Sequence, residues 1–232
     1  MRIDDIELVR GLPLFAEMDE QNFDALMHAA YLQQFPAQLQ LLSEGDAADF
    51  VHVLIEGCVE LFGTTQERET TLFIMHPLST FILAAALKDQ VYLMSARTLA
   101  KSRLLLIPSS DLRLAFERDA AFARSILLDL AGSSRGAVKA LKGQKLRSSL
   151  ERLANYLLSE FQIQDDDEAV ELPVDKKTLA SLLGMTPENL SRAFNNLAPY
   201  GVSVSGPRIS IGKPEDLRQL AKPDELIDDP ES

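Results

Sequence analysis

The chain has 232 residues, which is long enough for one large domain or two modest ones, each with a hydrophobic core. Its hydrophobic content of 46% and charged content of 25% are ordinary for globular proteins, and no apolar run reaches the roughly 18 residues that span a bilayer. The single cysteine, Cys58, excludes an internal disulfide and any all-cysteine metal or iron–sulfur site within one chain. The start of the chain lacks the basic-then-apolar order of a signal peptide, so we expect a cytoplasmic protein without a membrane partner.

The net charge of −12 is unevenly distributed along the chain. Acidic residues concentrate in the loop 165–168 and in a tail over 223–232, and we expect both segments to be solvated. In contrast, residues 172–222 hold seven basic and four acidic residues, and residues 135–147 hold five basic residues and no acidic one. DNA phosphates respond to this local charge, because screening limits charge effects to about 8–10 Å. The composition is therefore compatible with DNA binding.

Residues 1–118 change from a helical to a strand pattern after residue 30. Asp4–Arg10 and Asp19–Ala30 have helical spacing, with Phe23 and Leu26 on the apolar stripe of the second segment. Short apolar runs then alternate with turn residues, which is typical of strands in a sandwich or roll. The predicted strands are Leu39–Leu42, Phe50–Ile55, Cys58–Phe62, Thr70–Met75 and Leu99–Ile107.

A long helix is predicted within residues 119–147, from Asp119 to Gln144. Apolar and small side chains recur there in alternating three- and four-residue steps, which indicates a coiled-coil seam. The seam comprises Leu127, Leu130, Ser134, Ala137 and Leu141. We expect this helix to pair with a second copy in a homodimer, and the alternative is a buried helix in a monomer. Ser148 and Glu151 then form a capping box that starts a helix over Ser149–Phe161, the first element of a domain over 148–222.

The segment Leu172–Ile211 has the pattern of two short helices followed by a β-hairpin. Asp175 can cap the first helix, and Gly184 can end it because glycine readily takes positive φ. Thr186-Pro187 can start the second helix, as a cap followed by the proline tolerated at a first helical position. Residues 202–211 then alternate apolar and polar around a Gly-Pro turn. The apolar stripe of the second helix is Leu190, Phe194 and Leu197.

The second of these helices carries side chains that suit the edges of DNA bases. Arg192 has a fork of donors matched to guanine, Glu188 can accept from cytosine, and Ser191 can bond to a base or a phosphate. Predicted phosphate contacts are Lys176, Lys177 and Arg208, and further DNA-binding candidates are Thr178, Thr186, Asn189 and Asn195. The alternative is an ordinary helical hairpin with a solvated polar face. The β-hairpin that follows favours a winged helix-turn-helix.

These motifs resemble the Crp/Fnr family of bacterial transcription regulators. Leu182-Leu-Gly-Met-Thr followed by Glu188-x-x-Ser191-Arg192 looks like the family's recognition helix, and residues 45–61 resemble the β-roll of cyclic-nucleotide-binding domains. The resemblance implies an α+β fold: an N-terminal β-roll (a cyclic-nucleotide-binding-like jelly roll), a long dimerisation helix and a C-terminal winged helix-turn-helix. It also implies double-stranded DNA and RNA polymerase as partners. The cyclic-AMP receptor branch has an arginine where this chain has Pro187, which favours the TTGAT-type inverted repeats of the Fnr, FixK and Dnr branches.

The segment Phe81–Ala96 lacks the residues with which the cyclic-AMP receptor holds its ligand. In that resemblance Ala84 replaces the glutamate that binds the ribose and Met94 replaces the arginine that binds the cyclic phosphate. A buried phosphate without a cationic partner is strongly penalised, so we expect no cyclic-AMP binding. The N-terminal cysteines of the Fnr iron–sulfur cluster are absent as well. An apolar effector pocket remains open to prediction, lined by Phe81, Leu83, Ala84, Leu87, Met94 and Ser95.

Haem is one hypothesis for the signal, because Dnr- and CooA-type relatives hold haem near this place and sense nitric oxide or carbon monoxide. Haem needs an axial ligand, and the candidates are His28, His52, His76, Cys58 and Met94. Each of them also has a purely structural interpretation. The alternative is that no small molecule binds and that protein abundance or Cys58 oxidation sets activity.

The sequence predicts a homodimeric, sequence-specific transcription regulator. A competing hypothesis is an effector-binding or scaffold protein whose winged helix no longer reads DNA, but a scaffold has no need of Glu188, Ser191 and Arg192 on one face. An enzyme is not favoured, because the chain has no Gly-rich phosphate loop, no nucleophile with a partnered base and no metal-ligand spacing.

Overall fold

The computed structural model describes residues 3–66, 68–164 and 169–229, without the side chains of residues 3 and 4. The chain divides into two compact units, Met1–Ser134 and Arg135–Ser232. The division falls inside the long helix, which runs through the predicted segment 119–147. The mixed helix and strand content confirms the predicted fold class.

The first unit contains eight described strands and the helices that cover them. Helices α1 (Ile3–Arg10) and α2 (Glu20–Ala29) precede β1 (Tyr31–Phe35), β2 (Gln40–Leu42), β3 (Phe50–Glu56), β4 (Val59–Thr65), β5 (Arg68–Met75) and β6 (Ser79–Phe81). Then come α3 (Leu83–Lys88), β7 (Ser95–Thr98), β8 (Ser102–Pro108), α4 (Ser109–Arg118) and the start of α5 (Ala120–Leu146). The strands form two antiparallel sheets, in the orders β1-β8-β3-β6 and β2-β7-β4-β5.

The two sheets bury one core between them and a second core against the helices. Leu54 and Leu104 of the first sheet pack with Val59, Leu61 and Ala96 of the second. The other face of β3 and β8 packs against side chains of α2, α4 and α5, including Phe23, Leu112 and Phe122. Because both faces of β3 are covered, its sequence is an almost continuous apolar run rather than an alternating one.

The turn between β3 and β4 requires glycine. Gly57 has φ of +99°, and a Cβ there would lie 2.3 Å from Ser102 Oγ and 2.7 Å from the Lys101 carbonyl oxygen. Only glycine fits this turn, because it has no side chain and tolerates positive φ. Ser102 Oγ uses the space by accepting from the Cys58 backbone N–H at 3.2 Å.

The second unit is built from helices and one small sheet. After the end of α5 come α6 (Ser149–Gln164), β9 (Ala169–Glu171), α7 (Lys176–Leu182), α8 (Pro187–Leu197), β10 (Val202–Ser205), β11 (Arg208–Ile211), α9 (Pro214–Ala221) and α10 (Glu225–Asp228). The sheet has the order β10-β11-β9, so the predicted hairpin gains a third strand. The predicted capping box is present: Glu151 Oε2 accepts from the Ser148 N–H at 2.9 Å, and Ser148 Oγ accepts from the Glu151 N–H at 3.3 Å.

Most of the described part of the acidic tail is exposed, as expected for a solvated segment, but it also makes specific contacts. Asp224 caps α10 by accepting from the Leu226 N–H at 2.8 Å, and Asp228 forms an ion pair with Arg147. A basic residue near the end of α5 therefore gives one carboxylate of this exposed tail a partner. The acidic loop 165–168 and the tail residues 230–232 lie outside the described residues. No helix in the described part of the chain is long and apolar enough to cross a membrane.

Candidate nucleic-acid interface

The turn between α7 and α8 is fixed by local capping. Asp175 Oδ1 accepts from the Thr178 N–H at 2.7 Å at the start of α7, and Gly184 takes φ of +61° beyond its end. At the start of α8, Thr186 Oγ1 accepts from the Asn189 N–H at 3.2 Å, and Pro187 is the first helical residue. Each helix thus satisfies one of its free N-terminal donors with the side chain that the sequence predicts.

Helix α8 has one buried face and one polar, exposed face. The buried side chains are Leu190, Ala193, Phe194 and Leu197. The exposed side chains include Glu188, Asn189, Ser191, Arg192 and Asn195. The polar residues predicted to read bases therefore share the open side of one helix, where they can enter a groove together.

The exposed face of α8 pairs an ionised acceptor with an oriented cation. Arg192 Nη2 donates to Asn189 Oδ1 at 2.8 Å, and Nε donates to the Glu188 carbonyl oxygen at 3.4 Å. The pKa of the Glu188 carboxyl is lowered by its own backbone N–H, by the Thr186 hydroxyl and by the charge of Arg192. Glu188 is therefore an acceptor and Arg192 a donor at neutral pH, which is the pairing that a G·C base pair requires.

The remaining candidates divide by exposure. Lys176 and Lys177 are exposed at the start of α7, and Arg208 is exposed where β11 begins, paired in register with Ser205 across the hairpin. Thr178 instead is buried, and its hydroxyl bonds to the Asp175 carboxylate. Its role is therefore to hold the α7 cap, and the structure removes it from the exposed face.

The predicted effector-pocket residues do not converge on one cluster. Phe81 and Met94 pack with the core between the two sheets, whereas Leu83 and Leu87 pack with the core beneath the helices. Ala84 is exposed on α3. The remaining residue, Ser95, is buried on β7, where its Oγ accepts from the Glu44 N–H at 2.9 Å.

The haem-ligand candidates are also dispersed. His28 and His76 are exposed, on α2 and directly after β5. His52 is buried on β3, opposite to Val51 and Val53, and its ring stacks on that of Phe81 with centroids 5.1 Å apart. Burial lowers the pKa of His52 from 6.5 to about 4, and its Nδ1 has no hydrogen-bond partner. Cys58 is buried and Met94 half-buried. Among the described residues, no cluster of His, Cys, Asp and Glu side chains could hold a metal ion.

Comparison with known proteins assigns both units. Residues 151–220 match the Crp-like helix-turn-helix domain, and residues 32–119 match the cyclic nucleotide-binding domain. A Silicibacter pomeroyi DSS-3 structure, named as a cAMP-binding regulatory protein, is 30% identical, with a TM-score of 0.64 over 94% of this chain and 98% of that one. The chain belongs to the Crp/Fnr family of transcription regulators.

Two further structures share the fold of this Crp/Fnr regulator at lower identity. FixK2 from Bradyrhizobium japonicum is 22% identical, with a TM-score of 0.74 over 82% of this chain and 96% of that one. DNR from Pseudomonas aeruginosa is 23% identical, with a TM-score of 0.52 over 94% and 98%. No curated protein matches the chain.

The long helix of this Crp/Fnr regulator exposes most of the predicted dimer seam. Leu127 and Leu141 are 62% and 58% exposed, and Ser134 and Ala137 are also exposed. Leu130 is half-buried against the core beneath the helices of the first unit. Further large apolar side chains exposed on the helix are Leu128, Val138 and Leu146.

Two residues outside the predicted site hold the turn before α8 in place. Arg152 Nε donates to the Leu183 carbonyl oxygen at 2.8 Å, and Gln144 Nε2 donates to the Leu182 carbonyl oxygen at 3.3 Å. They satisfy carbonyl groups that the C-terminal end of α7 leaves free. No local spacing signals this role, because both residues lie about 30 or more positions before the turn.

Proposed function

We propose that this regulator is a homodimer that binds an inverted-repeat duplex of the TTGAT type through α8. The observation that carries the proposal is the exposed face of Glu188, Ser191 and Arg192 on a helix whose N-terminus is capped and preceded by a fastened turn. A signal that the first unit senses controls DNA binding. RNA polymerase is the expected protein partner on the DNA.

The chemistry of α8 supports base recognition rather than phosphate contact alone. Arg192 offers two parallel donors to guanine O6 and N7, and Glu188 accepts from the cytosine amino group. The bond from Arg192 to Asn189 restrains the guanidinium before DNA arrives, so less side-chain freedom is lost on binding. Lys176, Lys177 and Arg208 then supply the phosphate contacts that position the helix.

The exposed apolar side chains of α5 support a dimer. The side chains of Leu127, Val138 and Leu141 are each more than half exposed on this helix. Several exposed apolar side chains on one helix are typical of an interaction surface, whereas single ones are common on any protein. A second copy of the same helix covers that face in a twofold interface. Two recognition helices related by this axis read two half-sites about one helical turn apart.

We further propose that the signal is not a cyclic nucleotide. The arginine nearest in sequence to Met94 is Arg97, and its guanidinium already pairs with Glu60 and Glu69, at 2.6 Å in each case. It also lies 4.5 Å from the centroid of the Phe62 ring. The charge of Arg97 is therefore already paired with neighbouring side chains, which argues against a role in binding a cyclic phosphate. A thermal-shift titration with cyclic AMP and cyclic GMP should leave the melting temperature unchanged, and a saturable rise would refute this part of the proposal.

Haem remains a proposal for the signal, and His52 is the one histidine candidate that is buried, although a bound haem would have to displace the Phe81 ring that stacks on it. Its imidazole is buried and neutral at physiological pH, and Nδ1 is unpartnered, as a ligating nitrogen must be. His28 and His76 are both exposed. Reconstitution with haem should give a Soret band that His52→Leu abolishes and His28→Gln retains. No Soret band in the unsubstituted protein would refute a haem signal.

Base recognition is tested by replacing Arg192. Arg192→Ala should weaken binding to the TTGAT repeat by about 1–3 kcal/mol and relax the preference at one base pair of each half-site. The matched control is Arg218→Ala, which removes the same charge from an exposed arginine on α9 that pairs with Glu215. Competition titrations with singly substituted duplexes measure both effects. Equal discrimination by the Arg192 variant and the unsubstituted protein would refute the role of α8.

A further inference from the structure

The acidic C-terminal segment folds onto the basic residues at the end of α5. Asp228 accepts from Arg147 through both of its carboxylate oxygens, with Oδ1 2.7 Å from Nη1. Arg147 directly follows α5, in the two-residue link to α6, and only 11% of its side chain is exposed. The pair is bidentate, which is the strongest geometry that a guanidinium and a carboxylate can adopt.

Other contacts hold the same segment in place. Lys139 Nζ donates to the Asp229 carbonyl oxygen at 2.7 Å, about two helical turns before Arg147. Asp228 Oδ2 also accepts from the Asp224 N–H at 2.7 Å, so the carboxylate that binds Arg147 closes α10 as well. The segment Asp224–Asp229 therefore contacts residues 135–147 at two points, and that stretch holds five basic residues and no acidic one.

Arg147 lies close to the turn that precedes the recognition helix. Its carbonyl oxygen accepts from Arg152 Nη1 at 2.8 Å, and the same Arg152 guanidinium donates to the carbonyl oxygens of Leu183 and Gly184. One side chain thus joins the backbone at Arg147 to the helix-turn-helix. This link places the backbone of Arg147 next to the turn that precedes α8, so its guanidinium, once released, would be available to a DNA backbone bound at α8.

We propose that the segment Asp224–Asp229 is an autoinhibitory element that competes with DNA phosphate for Arg147 and Lys139. A carboxylate and a phosphate offer the same pair of acceptor oxygens to a guanidinium. While Asp228 occupies Arg147, the protein has fewer phosphate contacts and a weaker sequence-independent affinity for DNA. Binding to a duplex displaces the segment, and discrimination between sequences by α8 is left intact.

The inference rests on the proposed DNA binding, and random-sequence duplex is the probe that isolates it. Asp228→Asn should raise the affinity for random duplex by about fivefold at fixed salt, the gain expected for one released charge-assisted pair. The slope of log affinity against log salt should steepen by about 1, because one further phosphate is neutralised. A chain that ends at Pro223 should show the same changes or larger ones, since it also releases Lys139.

Two comparisons separate displacement of the segment from a general loss of negative charge. Asp216→Asn on α9 makes the same charge change at an exposed residue whose nearest basic partner, Lys213, lies 3.9 Å away, and it should have little effect. In an Arg147→Gln background, Asp228→Asn should give no gain, because the group that it releases is absent. Circular dichroism confirms that each variant is folded.

The outcomes distinguish this inference from the proposed function. Equal gains from Asp228→Asn and Asp216→Asn, or an unchanged salt slope in the truncated chain, would overturn the autoinhibitory role even if the TTGAT repeat is preferred. Loss of preference for the repeat in every variant, with the random-duplex gain retained, would instead count against the proposed recognition sequence. Failure of all variants to bind any duplex would overturn both.

Discussion

His52 makes the stability of the first unit depend on pH. Its imidazole is 5% exposed between the two sheets, and burial lowers its pKa from 6.5 to about 4. At pH values between these two, the unfolded chain binds a proton that the folded chain does not. The free energy of unfolding is therefore fully retained above about pH 6.5 and falls as the pH is lowered toward 4.

The pKa difference corresponds to a loss of about 3 kcal/mol over that range. Carboxyl groups with lowered pKa values, such as Asp119 and Glu151, change the stability at lower pH. Their stabilisation is lost only as the pH falls through their own folded-state pKa. The effect of His52 is isolated by comparing the urea unfolding of the unsubstituted protein with that of a variant, followed by circular dichroism. The measurements are made at several pH values from about 7.5 to about 4.5, which covers most of the interval between the unfolded and folded pKa values of His52.

His52→Phe should flatten this pH dependence while keeping a ring against Phe81, and His52→Leu provides a second variant in case the larger ring does not fit. His28→Gln is the matched control, because His28 is exposed, and it should leave the pH dependence as it is. The imidazole signal of His52 in proton NMR gives an independent readout. A His52 titration near pH 6.5, or equal pH slopes in the unsubstituted and His52 proteins, would refute the reasoning.

Three further changes test the fold, the cap and the dimer. Gly57→Ala should lower the free energy of unfolding by about 2 kcal/mol, measured by urea unfolding, because of the positive φ and the close approach of Ser102, whereas Gly63→Ala meets only ordinary contacts and should be nearly neutral. Asp175→Ala should cost about 1 kcal/mol at neutral pH, and since the pKa of Asp175 is lowered, the difference should shrink as the pH falls through that pKa. Leu141→Glu should weaken self-association by at least about tenfold in analytical ultracentrifugation, and persistence of the original dimer would exclude the proposed seam.

The helix-turn-helix was predictable because its signals are local. Asp175, Gly184 and Thr186 act within three residues of their positions in sequence, and their caps and positive φ appear as expected. The apolar stripe of α8 follows from helical periodicity in the same way. The predicted fold class was also confirmed. Strand length and spacing are local signals too, and they distinguish a β-roll from helices before the pairing of the strands is known.

The features that the sequence did not reveal depend on partners distant along the chain. β1, β6 and β7 are short and are defined only by pairing with β8, β3 and β4. Thr178 was predicted as a DNA-binding residue, but its side chain is buried and completes a cap. Asp228 meets Arg147 across 81 positions, and no periodicity encodes such a pair. The predicted effector-pocket residues separate for the same reason, because α3 places neighbours in sequence against two different cores.

The central claim is that α8 reads a specific inverted repeat. A binding titration of the purified protein on duplex TTGAT-N4-ATCAA against a scrambled duplex of equal composition, at fixed physiological salt, tests it directly. We expect a preference of at least about a thousandfold for the repeat, the low end for specific DNA-binding proteins, and we expect Arg192→Ala to lose it. Equal affinity for the two duplexes, with or without the Arg192 substitution, would contradict it.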